Sequence, residues 1–137
     1  MTFVLDASVV VKWFVYEDGT EAALRLVDHA PDLLAPDLLR LEVANTLWRK
    51  FRRREIDRID VEDSLQTLER GVPKLVPTAD HVAAAQAIML DLDHPIYDCL
   101  YLALAEAADA KLVTDDRRLQ MRTAGTRFAA RVQWLDR

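Results

Sequence analysis

The sequence predicts an α/β domain with a mostly parallel central sheet. Short apolar runs alternate with longer stretches of helical periodicity. Two of the runs, Phe3-Val4-Leu5 and Ala110 to Thr114, end at acids, and parallel sheets bind ligands beyond the carboxyl ends of their strands.

Taken in order, Phe3-Val4-Leu5 reads as a short buried strand ending at Asp6. Stretch 20–30 sets Ala23, Leu26 and Val27 at helical spacing. Leu33-Leu34-Ala35 stops at Pro36 and reads as a second strand or an extended entry. Stretch 36–55 is strongly helical, with Leu41, Ala44, Trp48 and Phe51 as one apolar stripe and Glu42, Asn45, Thr46 and Arg49 on another face. Stretch 61–69 predicts a helix that ends near Gly71 and Pro73. Stretch 78–92 opens on a capping threonine and aligns Val82, Ala85, Met89 and Leu92. Pro95 opens a helix over 96–108 that is apolar almost all round. A strand over 110–114 leads into Asp115 and Asp116, and the alternating stretch 131–135 predicts an edge strand.

The chain has 137 residues, 51% hydrophobic and 30% charged, which fits one domain spanning 1–137 with a substantial core. A net charge of −5 argues against a surface that grips nucleic acid everywhere, but leaves room for a local basic patch. The single cysteine, Cys99, excludes an internal disulfide and fits a reducing cytosol. There is no basic leader, and Asp6 and Lys12 interrupt the first apolar run, so the expected location is cytoplasmic, with no membrane span.

Four acids border apolar elements: Asp6, Glu42, Asp98 and Asp116. Each has an ordinary alternative. Asp6 and Asp98 could cap helices, Glu42 could pair with Arg49 or Lys50, and Asp115-Asp116 could form a solvated turn. If the four converge, their mutual repulsion calls for a divalent cation, and hard carboxylate oxygens suit Mg²⁺ or Mn²⁺. His29, His81 and His94 show no ligand spacing and read as surface or capping residues. Trp13 and Phe14 read either as core or as part of a partner groove. Two basic runs stand out: Arg49, Lys50, Arg52, Arg53 and Arg54 at one helix end, and Arg117, Arg118 and Arg122 after the last acids. Either is a phosphate-tracking patch or a solvated helix end.

DASVVVKWF, LxxEVANTLW (39–48), HPIYDCLYLALAEA and LVTDDRRL occur in this order across nearly the whole chain. Together they resemble the PIN-domain family, most closely the VapC toxins of bacterial toxin–antitoxin pairs. The resemblance implies a three-layer α/β/α fold and an Mg²⁺- or Mn²⁺-dependent endoribonuclease that leaves 5′-phosphate and 3′-hydroxyl ends. It also implies inhibition by a small cognate antitoxin, and a homodimer. Asp6, Glu42, Asp98 and Asp116 match the family's catalytic, metal-binding acids, with Asp115 competing for the fourth place. Ser8 and Thr114 match supporting hydroxyl positions, and Asn45, one turn beyond Glu42, is a further supporting candidate. Other classes are a catalytically silent module that binds RNA or protein, and an aspartyl-phosphate enzyme, although DASVV lacks the second acid such phosphatases carry.

Overall fold

The computed structural model describes residues 1–136, so Arg137, the last residue of the expected domain, lies outside them. Five strands form one sheet in the order β3-β2-β1-β4-β5, and every ladder is parallel. They are β1 (Phe3–Leu5), β2 (Leu33–Pro36), β3 (Lys74–Val76), β4 (Lys111–Thr114) and β5 (Val132–Trp134). Strand β1 lies at the centre, with Phe3 opposite Leu33 on one side and Lys111 on the other. All three of its residues are buried, which is what a strand covered on both faces requires of its sequence. The outer strands β3 and β5 are three residues long, and short edges offer little template for foreign strands.

The helices are α1 (Ala7–Val10), α2 (Thr20–Arg25), α3 (Leu39–Arg52), α4 (Arg58–Glu69), α5 (Val82–Leu92), α6 (Ile96–Ala107) and α7 (Arg117–Thr123). Helices α1 and α3 pack together, as do α3 and α4, whereas α5 packs on α6 and α6 lies across β1, β2 and β4. The chain steps outward from β1 to β3, then crosses back to β4. Right-handed crossovers in opposed directions put the two helical groups on opposite faces, giving three layers. The buried core is continuous, from Val4 and Leu5 through Val43 and Leu47 to Leu102 and Leu112.

Several sequence expectations need correction. The helix over 20–30 is α2 followed by a 3-10 turn, Leu26–His29, with Val27 exposed. The stripe of Leu41, Trp48 and Phe51 faces solvent, Leu41 being 70% exposed; Leu39, Val43 and Leu47 are the core face of α3. Thr78 does not cap α5: it starts a 3-10 turn, and its hydroxyl accepts the Leu38 amide at 3.1 Å. Strand β3 and the short helices α1 and α7 were not expected. Trp13 and Phe14 pack against the core, and the Trp13 indole donates to the Ala23 carbonyl at 2.8 Å.

Candidate active site

Strands β1 and β4 end side by side, and an acid follows each. Asp6 is the N-cap of α1: Oδ1 accepts the Val9 amide at 3.3 Å and the Ser8 hydroxyl at 2.5 Å. Its Oδ2 accepts the Thr114 hydroxyl from the end of β4. The capping reading of Asp6 is therefore correct, and it does not exhaust the residue. Asp6 is only 5% exposed. Burial pushes its carboxyl up to about 7 against the opposing pull of Ser8, Thr114 and Val9, and the nearby Asp98 charge pushes the same way as burial.

Ser8 and Thr114 brace the two turns. The Ser8 hydroxyl also accepts the Asp115 amide at 2.8 Å, and Thr114 Oγ1 accepts the Asp116 amide at 3.0 Å. The two hydroxyl oxygens lie 3.4 Å apart. Glu42 enters from the first turn of α3, where Oε1 accepts the phenol of Tyr101 from α6 at 2.5 Å. Burial raises the Glu42 pKa; the Tyr101 bond opposes the rise and the Asp98 charge adds to it. Neither Arg49 nor Lys50 pairs with Glu42: Arg49 bonds Thr46, and Lys50 bonds Glu17 at 3.0 Å. Asp98 lies in the first turn of α6, but Pro95 is the N-cap; its Oδ2 is held by His94 Nε2 at 2.6 Å. Asp98 bears on both Asp6 and Glu42, so these three acids share one electrostatic environment.

The last two acids differ in partner. Asp115 pairs with Lys12 Nζ at 3.0 Å, and that ammonium also holds Glu17 Oε1 at 3.1 Å and the Asp18 carbonyl at 2.8 Å. Asp116 caps α7, its Oδ1 accepting the Arg118 amide at 2.9 Å. Asn45 is exposed on α3, apart from the hydrogen bonds that tie the acids. Among the basic residues, Arg53 pairs with Glu55, Arg52 lies over the Trp48 ring, and Arg117 and Arg118 are exposed on α7.

Three residues with a part in this arrangement were missed in the sequence. Tyr101 stands three residues after Asp98 but was absorbed into an apolar helix. Lys12 looked like an interruption of an apolar run and is instead a buried counter-ion. His94 reads in the sequence as a surface or capping residue, although its place four residues before Asp98 is the spacing of a helical pair.

The donor set is hard oxygen in a partly desolvated setting, which fits Mg²⁺ or Mn²⁺. Among the described residues, no group of three or more His, Cys, Asp or Glu side chains stands close enough together to hold a metal ion as placed.

The fold and the site together define a three-layer α/β protein with carboxylates gathered at the carboxyl edge of a parallel sheet. The PIN domain model matches residues 3–125. The chain is 36% identical over 121 residues to Ribonuclease VapC3 of Pyrobaculum aerophilum, covering 87% of this chain and 92% of the relative. The crystal structure of PAE2754 from Pyrobaculum aerophilum has the same fold, with a TM-score of 0.62 at 21% identity, over 92% of this chain and 87% of that one. The chain belongs to the PIN-domain family, and within it to the VapC type.

Proposed function

We propose that the protein is a divalent-metal-dependent endoribonuclease, the toxin of a toxin–antitoxin pair, acting in the cytoplasm. The observation that carries this reading is the buried Asp6 carboxylate at the end of β1, gripped by Ser8 and by Thr114 from the end of β4, at the carboxyl edge of a PIN-domain sheet. The ribonuclease name of its VapC3 relative supports the choice of RNA.

Asp6, Glu42, Asp98 and Asp116 would hold one or two hydrated Mg²⁺ ions, with Mn²⁺ as a substitute. Such an ion supplies a water acidified toward hydroxide and stabilises the charge that grows on the scissile phosphate. The chain's own residues set the stage. Ser8 and Thr114 fix both oxygens of Asp6, Tyr101 fixes Oε1 of Glu42, and His94 fixes Oδ2 of Asp98. Preset ligands of this kind spare the reaction their reorganisation. Exposed arginines such as Arg49, Arg117 and Arg118 draw in the phosphate backbone. A small cognate antitoxin and a second copy of the chain are the proposed protein partners. Leu41, Trp48 and Phe51 on α3 and Leu65 on α4 expose apolar surface suited to such contacts.

The test is cleavage of RNA in Mg²⁺ or Mn²⁺, repeated with chelator. Cleavage stops in chelator, and Asp6→Asn and Asp98→Asn each lose on the order of a hundredfold in rate. Full activity in Asp6→Asn overturns the assignment.

A further inference from the structure

A cleft of ≈ 560 Å³ opens between the start of α6 and the side of α7, lined by His94, Pro95, Asp98, Arg118, Met121 and Arg122. Its size falls within the range of small-ligand sites. Its walls divide by chemistry. Asp98, tied to His94, forms the wall toward the acids, because the same carboxylate bears on Asp6 and Glu42. Arg118 and Arg122, one turn apart on α7, supply two cations that no ion pair among the described residues neutralises. Met121 (69% exposed) and Pro95 add apolar surface to the same cleft.

Apolar surface and two unpaired cations in one cleft, next to a site for a scissile phosphate, match one unpaired nucleotide. We propose that this cleft seats the nucleotide flanking the cut, its base against Met121 and Pro95 and its outer phosphate on Arg118 and Arg122. The proposal rests on the ribonuclease reading and adds to it a subsite built by this chain's own residues, which holds one base beside the cleaved bond. An exposed thioether is polarisable and adaptable, so Met121 accepts several bases and ranks them by contact rather than by a fixed hydrogen-bond pattern. Duplex RNA keeps its bases stacked and paired, and so cannot enter.

Three measurements test this. Steady-state cleavage of a single-stranded RNA by Arg118→Gln/Arg122→Gln raises KM about tenfold or more with little change in kcat, as expected for lost phosphate contacts. Sequencing of the cut ends made by Met121→Ser shows a changed base preference at one position beside the cut. Anisotropy of a labelled single-stranded RNA on chelator-treated Asp6→Asn protein shows binding that the two arginine changes weaken and that duplex of the same sequence does not reproduce. All three substituted positions beside the acids are exposed, so the fold survives their replacement. A wild-type enzyme that cuts RNA, but whose KM and cut-site profile survive all three substitutions, overturns the cleft and leaves the ribonuclease reading standing. A wild type that cuts no RNA overturns that reading instead. Arginine-dependent binding in the anisotropy assay then still supports the cleft as an RNA site, and its absence overturns the cleft too.

Discussion

Tyr101 donates its phenol to Glu42 Oε1 at 2.5 Å, joining the helix that crosses one face of the sheet to the helix that carries an acid from the other. The phenol is buried, and the adjacent carboxylate raises its pKa well above the ordinary value after burial has done so. Tyr101→Phe removes the one bond that favours ionised Glu42. Unfolding free energy falls by about 1.5–3 kcal/mol, as for loss of a hydrogen bond to a charged group. The Glu42 carboxyl titrates higher than in the wild type, which carboxylate NMR reads directly.

Asp6 makes the metal-free protein sensitive to pH. Its folded pKa of about 7 lies above the ordinary 3.8, so the fold disfavours the ionised form. The stability linked to protonated Asp6 is complete below about pH 4 and is lost as pH rises through about 7. For chelator-treated protein, this group lowers the unfolding free energy by about 2–4 kcal/mol between pH 4 and pH 8. Glu42, raised in the same direction, adds to the fall. Asp6→Asn flattens the slope and raises Tm at pH 8, measured by thermal melts across pH; an unchanged slope contradicts the burial argument.

On the proposed metal site, divalent cations offset the penalty. Mg²⁺ or Mn²⁺ at about 100 times its Kd stabilises the fold by about 2.7 kcal/mol. Melts at pH 8 with and without the ion show the gain in wild type and little of it in Asp98→Asn, the acid common to the other two.

Lys12 separates the roles of Asp115 and Asp116. Lys12→Met leaves Asp115 and Glu17 without their shared cation and costs about 3 kcal/mol, a typical result of breaking a buried pair. Combining it with Asp115→Asn restores part of the loss in a double-mutant cycle. Asp116→Asn costs little stability beyond its cap and instead weakens cation binding, read by calorimetry. The opposite pattern assigns the fourth acid to Asp115.

Parts of this molecule are written locally and parts are not. Strands β1 and β4 announce themselves because a strand buried on both faces must be apolar throughout. Strand β3 does not, since a three-residue edge needs no such run. Helix α3 was legible as a helix but not in its orientation. Leu39, Val43 and Leu47 share one stripe, Leu41, Trp48 and Phe51 lie on another, and periodicity alone does not say which meets the sheet. The acids were visible at strand ends and helix starts, and the ordered motifs pointed to them. Their company was not visible: the Tyr101 bond to Glu42 spans 59 residues, and the Thr114 bond to Asp6 spans 108. Lys12 misled because a charge inside an apolar run looks like a break until its counter-charges arrive from elsewhere in the chain.

The sheet order sets a schedule for synthesis. β1 leaves a ribosome well before its lateral neighbour β4, and the hydroxyl that grips Asp6 comes more than a hundred residues later. Until Thr114 and the Asp115–Asp116 turn have emerged, Asp6 has no second brace, and the cleft beside α7 has no wall. On the proposed activity, the translating ribosome that makes this chain is spared its cutting, and an antitoxin present in the cell can meet the molecule as its site closes.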